Sequence, residues 1–389
     1  MRRVAFLINF EYKKWLGGFY LIKNLIICIN KFSKNKIEPV LIVKKNLNKN
    51  ELKEFKNFKL IKTNFFFGQS KWFKIFNKIK VICFGKSNVY ENFFKVNKID
   101  VLSHINVFSN NIILGNKSSV KTLSLAADFQ HLYYPENFPL KQRILRNFNT
   151  YLSSKFSSKI LLISNDAKKD LKKISLSGYN NSVVNKFIFF PPKKNNIIKL
   201  AKLKKKYKFQ SNYFFLPNQY WKHKNHIVVL KALNLLSKTK KKNNILVLSS
   251  GSSDDQKEFG IFNKIKKFIN INNLNTNYKY LGIVPYNDLI SLMYHSIAII
   301  NPSKFEGRSS TVEQAKSLGK KVILSNINIH KEQNPDRGIY FNEDDNKKLA
   351  DILMNEYKKF SSSKEKKIIN NTYLKSNKNL FNYYLEYEK

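Results

Sequence analysis

Short apolar runs alternate with helical patterns along the whole chain, and they do so in two series. The first centres on Val4, Val40, Leu60, Val81, Val101, Leu123 and Ile160; the second on Tyr213, Ile245, Tyr278, Ile297, Val322 and Ile339. Short apolar strands separated by helical segments are the pattern of a parallel sheet covered by helices. The first series stops at Phe190-Pro191-Pro192 and a Lys/Asn-rich stretch, which reads as a linker. A chain of 389 residues exceeds one ordinary core. The expected fold class is therefore α/β, with two Rossmann-like parallel-sheet domains over residues 1–192 and 193–365 and a helical segment at 366–389. Hydrophobic content of 43%, including 32 Phe and 20 Tyr, is ample for two buried sheets.

One segment carries chemistry beyond this pattern: Asn301 to Gln333, NPSKFEGRSSTVEQAKSLGKKVILSNINIHKEQ. It reads as an apolar strand (Ile297 to Ile300), a polar loop, a helix starting near Ser310 and a second strand (Lys321 to Leu324). A helix start of this kind leaves backbone N–H groups free, and with the helix dipole they suit phosphate. Glu306 and Glu313 bracket the loop and first helical turn. Carboxylates are poor partners for phosphate but good acceptors for sugar hydroxyls. The combination fits a nucleotide diphospho-sugar. The plainer alternative is an amphipathic helix with a Ser/Thr cap and two solvated glutamates.

The string Glu306-Gly307-Arg308-Ser309-Ser310-Thr311-Val312-Glu313, followed by a small-residue helix and Gly319, resembles the signature of the retaining nucleotide-sugar glycosyltransferases of family 4. The resemblance implies the GT-B fold, in which two Rossmann-like domains face a central cleft and the last helix crosses back to the first domain. It implies that Glu306 holds the donor sugar near its reacting carbon and that Glu313 binds the ribose hydroxyls. The amides after Gly307, those of Arg308, Ser309 and Ser310, would face the diphosphate. The family usually has one more residue between its two acids, so this loop is a shorter variant.

Three further segments agree with that resemblance. Tyr213 to Leu233, YFFLPNQYWKHKNHIVVLKAL, resembles the family's first loop of the nucleotide-binding domain, where an Arg and a Lys clamp the diphosphate. Lys224 falls on the Lys position. Gln219 stands where the Arg is expected, with Lys222 the nearest second cation, and a lysine does not reproduce the arginine fork. Asp128 to Glu136, DFQHLYYPE, places His131 where the family has a histidine approaching the donor sugar. Gly17-Gly18, after the strand Val4 to Ile8, matches the family's glycine loop near the donor phosphate or acceptor. His104, in Leu102-Ser103-His104-Ile105, reads as structural.

The function expected is transfer of a hexosyl group from a nucleotide diphospho-sugar to an acceptor hydroxyl, with retention, in lipopolysaccharide, capsule or other surface glycan synthesis. Two alternatives stand beside it: a nucleotide-sugar epimerase on the same fold, and a basic membrane or nucleic-acid binding protein with a vestigial cleft. No Asp-x-Asp occurs in the loops that would need one, since Asp254-Asp255 and Asp344-Asp345 are adjacent pairs; no essential divalent metal and no cofactor are expected.

The chain carries 71 basic and 26 acidic residues, a net charge of +45, against a background of Lys, Asn, Ile and Phe. Compositional drift explains most of this, yet such a surface attracts polyanions whatever its origin. Anionic phospholipid is the expected partner, with the basic, aromatic segment Phe65 to Lys80 lying on a bilayer. No motif for specific nucleic-acid recognition is visible. The run after Met1-Arg2-Arg3 is too short for a signal peptide, and no stretch of 18 or more apolar residues suggests a spanning helix. Cys28 and Cys83 both lie in apolar runs and read as buried thiols of a cytoplasmic protein.

Overall fold

The structure, a computed structural model, describes residues 1–8, 16–33, 36–46, 58–108, 114–187, 189–190, 192, 194–239, 245–253 and 260–360. The terminal helix expected at 366–389 and the pair Asp254-Asp255 lie outside the described residues. The chain divides into two compact units between residues 188 and 189.

The first unit holds a seven-stranded sheet: β1 (Arg2–Ile8), β2 (Ile37–Val43), β3 (Lys59–Lys62), β4 (Val101–Asn106), β5 (Lys121–Ala126), β6 (Lys159–Leu162) and β7 (Ser182–Val184). Its order is β3-β2-β1-β4-β5-β6-β7, and every pairing is parallel. The second unit holds β8 (Tyr213–Leu216), β9 (Leu246–Ser249), β10 (Tyr278–Tyr280), β11 (Ile299–Asn301), β12 (Val322–Ser325) and β13 (Gly338–Phe341). This sheet is also parallel throughout, in the order β10-β9-β8-β11-β12-β13. In each sheet the order reverses beside its first strand, between β1 and β4 and between β8 and β11. Loops leaving the carboxyl ends of strands diverge at such a point and open a crevice.

The second sheet shows why its strands read as unbroken apolar runs. Phe214 and Leu216 of β8 point to one face, where the helices His226–Ser237 and Asn346–Lys359 contribute Val229, Leu233, Leu349 and Leu353. Tyr213 and Phe215 point to the other face, against Leu203, Met293, Val312 and Ala315. Those four come from the helices Leu200–Tyr207, Tyr286–His295 and Ser310–Ser317. A strand covered on both sides has no polar face to alternate with. All four residues of β8 are buried.

Two elements of the first unit differ from the sequence reading. The run at Val81, expected as a strand, belongs to the helix Lys71–Phe84. Ser70 caps its start, its hydroxyl accepting from the Phe73 amide at 3.2 Å, and Gly85 ends it at φ 75° with its amide on the Val81 carbonyl. Four apolar residues in a row make one helical turn as readily as a short strand, and the caps decide. The strand β7, too short and Asn-flanked to register in the sequence pattern, was not anticipated. The first difference corrects a second expectation: Cys28 is buried, but Cys83 is exposed on the outer side of its helix. Burial pushes the Cys28 thiol up to about 11, with Lys31 pulling weakly the other way. A thiol reagent at pH 8 should therefore label one cysteine in the folded protein, mapped to Cys83 by peptide mass, and two after denaturation. Rapid labelling of both, or of neither, in the native state would contradict this placement.

Candidate active site

At the switch point of the second sheet, the loops after β8 and β11 are stitched together. The loop after β8 makes a short 3-10 turn, Lys222–Lys224, before the helix His226–Ser237 begins. The Lys304 amide donates to the His223 carbonyl at 2.8 Å. Asn225, held at φ 54°, donates from its side-chain amide to the carbonyls of Pro302 at 3.2 Å and Glu343 at 2.7 Å. Asn tolerates this left-handed conformation better than most residues do. The Asn218 side chain donates to Asn301 Oδ1 at 3.0 Å, and Asn301 in turn donates to the Ser309 hydroxyl at 2.6 Å. The loop after β9 closes in on the same place. A Cβ at Gly251 would sit 2.3 Å from the Asn218 carbonyl oxygen, so only glycine fits there.

Within this cradle Lys224 Nζ lies 2.7 Å from Glu306 Oε1, and both side chains are largely shielded from solvent. The Ser303 hydroxyl stands 2.8 Å from both Glu306 Oε1 and Asn301 Oδ1. Burial alone would raise the Glu306 carboxyl, but the Lys224 ammonium more than reverses this and holds it below the usual carboxylate value. The lysine and the glutamate come from loops on opposite sides of the switch point. Their contact is the direct result of the strand order.

The helix Ser310–Ser317 follows at once, capped by Ser309, whose hydroxyl faces the Val312 amide at 3.4 Å. Gln333 grips the cap from both sides: its carbonyl oxygen accepts from the Ser309 amide at 3.0 Å and its NH2 donates to the Ser309 carbonyl at 2.9 Å. The amides of Ser310 and Thr311, next in the first turn, have no acceptor among the described residues. Glu313 is fully buried. Its Oε1 pairs with the Arg308 guanidinium and accepts from Gln333 at 2.9 Å, while Lys316 stands 3.8 Å from Oε2. Gly307 lies in the same loop, between the two pairs.

Among the remaining candidates, Gln219 is half-buried and its carbonyl lies 3.1 Å from His226 Nε2, while Lys222 is exposed. In the first unit, His131 lies on the 3-10 turn Gln130–Leu132 just after β5 and is buried. Arg146 Nε donates to its Nδ1 at 3.1 Å, which leaves Nε2 as the protonated nitrogen donating to Asn147 Oδ1 at 2.8 Å. Burial lowers its pKa, against the pull of Asn147. Gly17 and Gly18 fall in the first turn of the helix Leu16–Phe32, which begins earlier than the glycine pair suggested. The structure thus brings Lys224, Glu306, Ser309 and Ser310 together, and keeps Glu313 inside a separate ion pair beside them. Gln333, Asn301, Asn218 and Asn225 organise the site and carry no signal in a chain flooded with asparagine.

Residues 199–375 match the family model of glycosyl transferases group 1. The fold is GT-B. A glycosyltransferase from Rickettsia africae ESF-5 has the same fold over 100% of this chain and 99% of its own, with a TM-score of 0.65 at 15% identity. Anabaena Alr3699/HepE, solved in complex with UDP-glucose, matches 97% of this chain and 95% of its own, with a TM-score of 0.64 at 14% identity. The lipopolysaccharide outer core galactosyltransferase WaaB, in its apo form, covers 97% and 99% with a TM-score of 0.54 at 14% identity. No curated protein matches the chain by sequence.

Two outcomes follow from the electrostatics. His104 and His223 are pushed down to about 3 and His226 to about 4, all chiefly by burial, and His131 and His330 are lowered by the same cause. A histidine with a depressed folded pKa contributes stability that is present above its unfolded value and is lost as pH falls toward the folded one. The loss reaches about 1.4 kcal/mol per pH unit for each such group. Thermal unfolding should therefore be flat from about pH 8 to 7 and fall steadily from about pH 6.5 to 4; a melting temperature constant across that acid range would exclude it. Glu313→Ala should cost about 3–5 kcal/mol in denaturant unfolding, because it strands the Arg308 charge in the interior.

Proposed function

We propose that the chain transfers a hexosyl group, with retention of configuration, from a nucleotide diphospho-sugar to an acceptor hydroxyl on a surface glycan such as lipopolysaccharide or capsule. The observation that carries this reading is the Lys224–Glu306 pair, 2.7 Å apart beside the start of the helix Ser310–Ser317. It joins a cation, a carboxylate and open helix amides at one switch point. Cleavage of the anomeric C–O bond leaves positive charge on the sugar and negative charge on the departing diphosphate. The Lys224 ammonium, the amides of Ser310 and Thr311 and the helix dipole take up that negative charge. Lys222 is the nearest second cation, in the absence of an Arg at Gln219. Glu306 changes partner as Lys224 turns to phosphate, and its carboxylate then accepts hydroxyls of the donor sugar.

In this reading the acceptor attacks on the face from which the diphosphate leaves. Its proton passes to the departing phosphate oxygen as the new C–O bond forms. The charge is met by the protein's own cation and amides, so transfer proceeds without a divalent metal and survives chelation. Glu313 reaches a ribose only by exchanging Arg308 for ribose hydroxyls; otherwise it acts by holding the loop that presents the amides. His131 is the neutral imidazole, and it meets a sugar oxygen through Nε2–H only by giving up its bond to Asn147. Gly17 and Gly18 are assigned to the approach of the donor phosphate or acceptor. The UDP-glucose complex of the Anabaena neighbour makes a uridine diphospho-sugar the first donor to try.

The test is a thermal-shift panel of nucleotide diphospho-sugars, followed by transfer assays with the donor that shifts. Glu306→Gln should lower transfer by about a hundredfold or more while the nucleoside diphosphate still shifts the melting temperature. Lys224→Ala should weaken both. A donor that is turned over with no acceptor present would point to epimerisation. No shift with any donor, with the protein folded, would end the proposal.

A further inference from the structure

The helix Lys71–Phe84 turns most of its bulky apolar side chains outward. Its buried positions include Asn77 and Val81, while Trp72, Ile75, Phe76, Ile79 and Ile82 all face outward. At 100° per residue these five fall on one stripe about 120° wide, which is the width that normally faces a protein core. Trp72 is 80% exposed and Phe76 58%. Lys71, Lys74 and Lys78 border the stripe on one side and Lys80 on the other, with Lys80 Nζ 4.6 Å from the centre of the Phe76 ring. A solvent face of this composition does not serve the fold of its own unit.

The neighbouring helix, Leu140–Phe156, carries exposed apolar residues of its own. The two pack together through a small core of Val81, Leu152 and Phe156, and Lys78 Nζ reaches Asn149 Oδ1 at 3.2 Å. Beyond that contact, Leu140, Ile144, Phe148 and Tyr151 are all exposed at helical spacing, with Lys141 and Lys155 exposed among them. Each helix thus presents apolar and aromatic side chains with lysines beside them. Isolated surface apolar residues need no explanation, but a contiguous patch of this kind marks a binding surface.

We propose that the outward stripe of the helix Lys71–Phe84 is a docking platform for the surface of an anionic phospholipid bilayer. The mixture of chemistries selects that occupant. Bulky apolar side chains enter the boundary between headgroups and acyl chains, and lysines beside them meet the negative headgroups. A helix of 14 residues is shorter than the roughly 20 needed to span a bilayer, so it lies in the interface plane. A second copy of the chain brings the same lysine rim and the same +45 charge, which repels it. Nucleic acid matches the lysines, and a single strand can stack bases on Trp72 and Phe76, but it offers nothing to the aliphatic Ile75, Ile79 and Ile82 of the stripe. The platform belongs to the first unit and the donor site to the second.

The experiment uses the full chain and vesicles of phosphatidylglycerol with phosphatidylcholine, or of phosphatidylcholine alone. An environment-sensitive dye is attached to Cys83, the exposed thiol on this helix. The protein should float with anionic vesicles, shift the dye emission to the blue, and bind neutral vesicles at least tenfold more weakly; high salt should weaken the anionic binding. The variant Trp72→Ser/Phe76→Ser/Ile79→Ser changes only exposed positions. It should keep its circular dichroism and melting temperature and lose at least tenfold in affinity for anionic vesicles. Lys71→Glu/Lys80→Glu, a second variant that leaves the apolar stripe in place, should lose affinity mainly at low salt. Equal vesicle binding by parent and triple variant, or no vesicle binding by the parent, overturns the proposal. So does a parent that sediments as a dimer while the triple variant is monomeric, since the face then belongs to a second copy. Donor-induced thermal shifts, measured on the same samples, report the other site separately.

Discussion

The contact between Lys224 and Glu306 fixes the geometry of the second unit's functional end. Each charge, taken from water alone, would be costly to bury; together, and backed by Ser303, they are tolerated. The two residues sit in loops separated by 82 positions in sequence. Holding them at hydrogen-bond distance therefore requires β8 and β11 to be adjacent, and parallel strand order supplies that. The Lys304 amide on the His223 carbonyl and the Asn225 bonds to Pro302 and Glu343 hold the same loops without any charge.

The Arg308–Glu313 pair works differently. It lies deeper than the first, and Gln333 links it to the Ser309 cap. A buried pair of this sort adds little net stability compared with apolar packing, yet it strongly penalises any structure in which one member is missing. Its effect is to make the loop between Glu306 and the helix adopt one conformation. Gln333, bonded to both Glu313 and Ser309, is the side chain that ties this pair to the helix start.

The parallel architecture was legible because central strands such as Tyr213–Leu216 are covered on both faces and so lack polar residues. The helix start near Ser310 was legible for a similar reason: a hydroxyl before a polar-apolar repeat satisfies an orphan amide. At Val81 a run of four apolar residues carries no period, and the deciding residues, Ser70 and Gly85, flank it at a distance. The same ambiguity hid the exposure of Cys83. In the site, Lys224 and Glu306 were readable as charges in loops beside strand ends. Glu313 looked equivalent to Glu306 in sequence, but helical geometry turns it inward toward Arg308, and only three-dimensional packing distinguishes the two. Asn218, Asn301 and Gln333 were invisible because amides are the background of this composition.

Five of the six histidines are held neutral by burial, so almost none of the chain's charge is titratable near neutrality. The positive field rests on lysine and arginine, which keep their protons well beyond the physiological range. Mild acidification therefore loosens the interior while leaving the exterior potential where it was. The molecule has no proton-driven means of strengthening or releasing its hold on a negative surface; only ionic strength or a change in that surface's own charge can do so.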